Sequence, residues 1–228
     1  MPTPSSLATN GLVKKTLADK LLAEIMNGTL PPGTRIIEVK WAQRFGVAQG
    51  TIREAINLLE RDGFVTKEGG RSARVVNLTE KDVVQLYQMR GAVEGLAANL
   101  AAQVQPDFSI LQAIVDGMRR AAKARSAPNM LDWDLKFHLE LCNLSGNKHL
   151  SDYAQRMLMP FFAFVRLRMI SGGRGTSVWD KDLDSHQRIV DLLREGDGDM
   201  AEQYVKKAMV RFSKTAHCSR LGESKFII

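Results

Sequence analysis

Residues 38–65, EVKWAQRFGVAQGTIREAINLLERDGFV, narrow the possible folds of this chain more than any other stretch. Two short runs of helical periodicity are separated by Gly46 and Val47. The first, Glu38–Phe45, is expected to bury Val39, Ala42 and Phe45. In the second, from about Gly50 to Arg61, Ile52, Ala55, Ile56 and Leu59 follow the i, i+3, i+4, i+7 pattern of one buried face. Gly46 sits where the chain must turn sharply, and a residue without Cβ tolerates that backbone. Val47 is expected to pack inward. Just downstream, FVTK and ARVVN flank EGGRS, which reads as two short strands joined by a Gly-Gly turn. A helix-turn-helix followed by a hairpin is a winged arrangement, and its second helix has the width to enter the major groove of B-DNA. Arg53 is the best candidate base reader, since a guanidinium can bond guanine O6 and N7 together. Gln49 and Thr51 can reach bases or phosphates. The bland alternative is an ordinary helical pair in which Gly46 is only a C-cap.

The rest of the chain divides around residue 78. Before the helix pair, MPTPSSLATN reads as a loose tail. A helix over 12–27 carries Leu17, Leu21 and Ile25 on one stripe, and LPPGTRI is a rigid turn into a short extended piece. After residue 78 only helices are expected. Thr79 is a good N-cap with Asp82 at N3, and that helix runs to about Gln103. Others follow from Pro106 to about Arg125, then over 130–144, 148–171, 177–195 and 199–217. Six helices with short connections make a helical bundle. The expected fold is therefore mainly α: a winged helix-turn-helix over residues 10–78 and an all-α six-helix domain over 79–220.

Charge agrees with a polyanionic partner without proving one. Net charge is +7, and residues 1–78 hold 11 Lys+Arg against 7 Asp+Glu, so the excess is densest at that end. No apolar run has the length to cross a bilayer, and the first residues carry no secretory signal. Cys142 and Cys218 form no CxxC or disulfide framework, so a cytoplasmic protein with reduced thiols is expected.

The stretch from LPPGTRIIEVKWAQRFGV to RDGFVTKEGGRSARV resembles the DNA-binding domain of the GntR family of bacterial transcriptional regulators. The carrying features are the LPPG turn, FGV, REA and LERDGFV, over about residues 10–77. The resemblance implies that Arg53 of REA contacts the operator. It implies the same for Gln49, Gly50 and Thr51, which lie between GV and that Arg, and for Gly69, Gly70 and Arg71 at the wing tip; Asn57, left off the apolar face of the same helix, is a further DNA-binding candidate. The family usually places Ser or Thr, then Arg, then Thr at positions 48–50. Here these are Ala48, Gln49 and Gly50, so one N-cap hydroxyl and one cation are missing. A changed operator or a weaker contact at one base pair is expected. Arg71 and Arg74 on the wing are candidates to offset the lost charge.

In the second region, WDLKFHLELC (133–142) poses a separate problem. Leu131, Leu135, Leu139 and Cys142 recur at helical spacing, yet Asp134 and His138 fall on the same side. His186 leads a second apolar stripe, Ile189, Val190 and Leu193. This region, through LYQMRGAVEGLAANLAA, DLKFHLEL and HQRIVDLL, resembles the all-helical FCD effector domain of the FadR subgroup. That resemblance implies one Asp and three His on a divalent metal beneath a pocket for a carboxylate ligand. Asp134, His138 and His186 match three of them; the fourth position falls on Phe212, which cannot ligate. One divalent ion of the Zn, Ni or Mn class is the implied cofactor. The alternative is a metal-free pocket of satisfied polar groups. His149 and His217 fit no ligand spacing. Cys142 either approaches the pocket or is a small core residue.

Arg90 lies on the apolar side of its helix, with Glu94 one turn later. The resemblance implies that it binds the effector's carboxylate, for which its fork is suited; the alternative is an i, i+4 ion pair with Glu94. Arg166 and Arg168 either add charge at the pocket or are solvated. The function that follows is a homodimeric regulator on a double-stranded operator, controlled by a small organic acid, with no enzymatic activity and no membrane partner. The rival reading is a metal-dependent hydrolase with an accessory DNA-binding domain. It lacks HExxH, GxSxG and P-loop signatures and any evident general base.

Overall fold

A computed structural model describes residues 4–68, 72–172 and 179–218, with side chains over 12–67, 73–168 and 182–213. By compactness the chain falls into two units: residues 1–77 with 163–170, and residues 78–162 with 171–228. No described helix is long and apolar enough to cross a membrane.

In the first unit, α1 (Pro4–Met26) starts eight residues before the expected helix, inside the stretch read as a loose tail. It buries Leu17, Leu21 and Ile25 as its periodicity predicts. The rigid turn leads into β1 (Arg35–Ile36), then α2 (Glu38–Phe45) and α3 (Gln49–Arg61). Gly46 ends α2 at φ 65°, the left-handed conformation its missing Cβ permits. On α3, Ile52, Ala55, Ile56 and Leu59 are buried. The burial expected of Val39 fails: it is 48% exposed, and Trp41 is buried instead. Trp41 and Phe45, whose ring centroids are 5.5 Å apart, define the inner face of α2, and Val39 lies off it. Phe45 and Val47 are only half-buried.

The hairpin strands are β2 (Val65–Glu68) and β3 (Ser72–Val75), antiparallel with Val65 opposite Val75. The short extended piece joins them as a third strand, Ile36 opposite Ala73, giving the order β1-β3-β2. The wing is therefore the far edge of a three-stranded sheet.

The second unit holds α4 (Glu80–Val104), α5 (Ser109–Lys123), α6 (Ala127–Leu144), α8 (Trp179–Glu195), α9 (Gly198–Cys218) and the first part of α7 (Lys148–Gly172). Thr79 and Asp82 close a reciprocal capping box at the start of α4. α5 begins three residues after Pro106, because Asp107 accepts hydrogen bonds from the Ser109 amide and hydroxyl and makes a turn first. On α6 the core row is Met130, Leu131, Asp134, Phe137, His138, Leu141 and Cys142. Leu135 and Leu139, expected on the buried stripe, are only half-buried. Gly117 of α5 is the seat of the Trp133 indole: a Cβ there would stand 2.6 Å from the ring. Only a residue without a side chain lets α5 and α6 approach this closely.

Candidate functional site

The N-terminus of α3 presents the expected readers outward. Gln49, Gly50, Arg53 and Asn57 are exposed and Thr51 is half-buried. The apolar row beneath, fixed by Ile52, Ile56 and Leu59, leaves no inward orientation for Arg53. Its guanidinium nevertheless has a partner: Arg53 Nη2 stands 2.8 Å from Glu38 Oε2 on α2. Gln49 Nε2 donates to the same oxygen at 3.2 Å. The hydrogen bond from Arg53, opposed by a smaller cost of burial, holds the Glu38 carboxyl below its ordinary pKa; Glu38 in turn raises that of Arg53. Glu38 was not singled out in the sequence, although it starts the helix that precedes the reader and faces it across the turn.

Asn57 accepts from Lys67 of β2, whose ammonium also pairs with Glu60 at 2.6 Å. Arg74 donates to the Gly33 carbonyl at 3.2 Å, so this wing cation has an internal bond. Gly69, Gly70 and Arg71 lie outside the described residues. Ala48 is the N-cap of α3 and, lacking a hydroxyl, makes no side-chain cap. A Cβ at Gly50 would meet nothing within 4 Å, so its bareness is not required by packing.

The problem posed by WDLKFHLELC resolves in the second unit. Asp134, His138 and His186 come together, all buried, with one potential ligand atom each inside a 4.8 Å group. Asp134 Oδ1 is 3.1 Å from His138 Nε2 and 3.1 Å from His186 Nε2. His186 Nδ1 lies 2.6 Å from the Asp182 carbonyl oxygen. A carbonyl only accepts, so Nδ1 carries the proton and Nε2 turns a lone pair toward Asp134. At His138 the far nitrogen, Nδ1, is 2.5 Å from Glu94 Oε2. That approach is close but poorly aligned for an N–H, so its force is mainly electrostatic.

Among the described residues Asp134 Oδ1 and His186 Nε2 have no hydrogen-bond partner despite their proximity. Acceptors facing one another need a cation or a proton between them. Ligand atoms held about 2.0–2.1 Å from one ion stand roughly 3.0–3.4 Å apart, which these separations match. The donor set therefore fits a divalent metal of the Zn class, with Glu94 and the Asp182 carbonyl orienting the two imidazoles from behind.

Arg90 is buried and paired with Glu94, Nε to Oε1 at 2.6 Å, as the ion-pair alternative required. Its guanidinium also lies 5.0–5.5 Å from the ring centroids of Tyr87, Phe161 and Phe162. Burial opposes the charge of Arg90, and Glu94 more than offsets it. For Glu94, burial is outweighed by Arg90 and His138, which bring its pKa down to about 2. Burial works against the Asp134 carboxylate, and the His138 and His186 imidazoles beside it overcome that cost, so its pKa falls. Burial lowers and Glu94 raises the pKa of His138, with a net rise. Proton and metal thus compete for one nitrogen.

Phe212 is half-buried and stacks on Tyr87, centroids 6.2 Å apart, so the last helix offers an aromatic ring at the fourth position. His149 is exposed, and the side chain of His217 lies outside the described residues. Cys142 is fully buried, and burial, then the Glu94 charge, pushes its thiol far up; it is a core residue and no thiolate donor. Arg168 lies over the Phe164 ring at 5.7 Å. A second acidic residue escaped the sequence reading. Asp182 of α8 is 3% exposed, and burial followed by the Asp134 charge pushes its pKa up to about 8. Its signal was present as an Asp four residues before His186.

Both regions of the chain match known domain families. Residues 13–75 match the bacterial regulatory proteins of the gntR family, and residues 85–211 match the FCD domain. The chain is 29% identical over 207 residues to the uncharacterized HTH-type transcriptional regulator YdhC of Bacillus subtilis, covering 90% of this chain and 87% of that one. It is 26% identical to the "Probable D-xylose utilization operon transcriptional repressor" of Paenarthrobacter nicotinovorans, covering 95% of each. A GntR regulator structure from Rhodococcus sp. RHA1 superposes with TM-score 0.69 at 23% identity, over 90% of this chain and 98% of that one. With a winged recognition helix and an FCD domain in one polypeptide, the chain belongs to the GntR family of bacterial transcriptional regulators.

Proposed function

We propose that this regulator binds a palindromic operator as a homodimer, through Arg53, Gln49, Gly50, Thr51 and Asn57 of α3 and the wing residues Gly69, Gly70 and Arg71. A small organic acid, bound together with a divalent metal in the C-terminal domain, controls that binding. The carrying observation is the convergence of Asp134 Oδ1, His138 Nε2 and His186 Nε2 with an unpartnered acceptor on either side. Such a group gains little as a bare core. When bound, a metal supplies a positive centre on which an acid's carboxylate can complete the coordination. Arg90 adds a second cation nearby and is the proposed contact for the acid. Exposed Met89 and Leu96 on α4 support pairing of two copies, which reading two half-sites requires. The Paenarthrobacter relative is named for a sugar-utilisation operon, which favours sugar acids as the first candidates.

Control requires that the acid bind one arrangement of the DNA-reading heads better than another. The test is selection of bound duplexes from a random pool, followed by anisotropy titrations at fixed salt. The titrations compare metal-loaded with chelator-stripped protein, with and without sugar and hydroxy acids. A two-fold site whose affinity shifts with an acid only in the loaded protein is the expected result. Absence of sequence preference at physiological salt overturns the DNA reading; an identical acid response after stripping overturns the metal's role.

A further inference from the structure

The C-terminal domain carries the same spacing twice. Asp134-Leu-Lys-Phe-His138 lies on α6 and Asp182-Leu-Asp-Ser-His186 on α8. Four residues is one turn, so each pair shares a helix face. The α6 pair is wholly engaged, with Asp134 Oδ1 3.1 Å from its own His138. The α8 pair so far contributes only His186. Yet Asp182 is nine-tenths buried and more, and neither of its carboxylate oxygens has a hydrogen-bond partner among the described residues.

An acid removed from water keeps its charge only with a compensating partner. Among the described residues the buried acids are Glu94, Asp134 and Asp182 and the buried guanidinium is Arg90, so a metal-bound state with every acid ionised sets three carboxylates against one guanidinium. The excess of two negative charges equals the charge of one divalent cation when the imidazoles are neutral. Arg211 of α9 also acts on Asp182, but it is exposed and donates to Ser185 at 2.9 Å, so water screens its charge.

We propose that Asp182 is a metal-binding residue in this chain. The Asp-x3-His pair of α8 answers that of α6, and the Asp182 carboxylate, which stands outside the 4.8 Å group of Asp134, His138 and His186, turns in to complete the donor set at a centre where the last helix offers Phe212. This rests on the metal reading above and gives it a specific composition, two carboxylates and two imidazoles. Such a set is harder than one Asp with three His, so it moves preference toward oxygen-tolerant ions such as Mn²⁺ relative to Zn²⁺.

The test uses the full chain, stripped with chelator and titrated with Zn²⁺ and Mn²⁺ against a chromophoric competitor. Metal content is measured by mass spectrometry, and melting is followed with and without metal. Wild type should bind one ion per chain. Asp182→Asn keeps the side chain's shape and should lose about 100-fold in affinity, and most of the metal-induced rise in melting temperature. Its metal-free form should melt no lower than wild type, since a buried acid without a hydrogen-bond partner has been removed. Adding Phe212→His to Asp182→Asn should restore Zn²⁺ affinity more than Mn²⁺ affinity. Asp182→Glu keeps the charge, so it should bind more tightly than Asp182→Asn. Equal binding by wild type and Asp182→Asn overturns the role of Asp182 and leaves the three-ligand centre standing. Failure of wild type to bind either ion overturns both.

Discussion

Two Arg–Glu pairs of nearly equal length sit in opposite surroundings. Arg53 and Glu38 meet at 2.8 Å with the guanidinium largely in water; Arg90 and Glu94 meet at 2.6 Å with none. The chemistry is the same, but its consequences differ. In water an ion pair is weak and exchangeable, so Glu38 holds Arg53 in place without committing it. A guanine or a phosphate can take over the same donors. In the core neither partner can leave, because the other would remain as a buried charge. The first pair can exchange with an incoming ligand, as the proposed operator contact requires. The second is a fixed post against which His138 is set.

That contrast can be broken most sharply by Glu94→Ala. Orphaning Arg90 should cost about 3–5 kcal/mol in urea unfolding; a loss within experimental scatter would mean that water reaches the pair. Next in size is Arg53→Ala, expected to weaken operator binding roughly 10- to 100-fold and relax one base position, with the unfolding midpoint unmoved. A uniform loss across all sequences would reassign Arg53 to phosphate contact. Ala48→Ser should stabilise the first unit by about 1 kcal/mol by giving α3 the hydroxyl cap it lacks.

Thr79→Ala should cost about 1 kcal/mol at neutral pH by opening the capping box. The hydrogen bonds from Thr79 lower the pKa of Asp82 on folding. The stability from this carboxylate is therefore present above its ordinary value near 3.8 and lost as pH falls through the folded value. The Thr79→Ala deficit should shrink in acid and persist at higher pH. Smallest is Glu38→Gln, which should raise operator affinity roughly two- to five-fold at low salt by releasing Arg53. Weaker binding would show that Glu38 positions the reader instead of merely occupying it.

The winged unit was legible because its signals are local. A helix stripe, a turn glycine and a hairpin are written in neighbouring residues, and α3 buries the four side chains its periodicity names. The errors there came from choosing the wrong face of an eight-residue helix, where Val39 and Trp41 both have claims and only Trp41 stacks on Phe45. The C-terminal domain was legible as a set of helices and less so as a site. Asp134, His138 and His186 were found because a polar residue on an apolar stripe is conspicuous. Leu135 and Leu139 misled because α6 is apolar around much of its circumference. Glu94 was read only as a partner for Arg90, since nothing in one helix reveals that His138 of another lies against its second oxygen. Asp182 lies before the apolar run of α8, where an acid reads as solvated.

The bare Cα of Gly117 has a consequence beyond packing. Trp133, which rests on it, is the residue immediately before Asp134. Any side chain at 117 pushes the indole and shifts the register of the first donor with it, although the position itself offers no lone pair. On the proposed reading, a genetic screen for variants deaf to the effector should accordingly return substitutions at this glycine, with Asp134, His138 and His186 all intact.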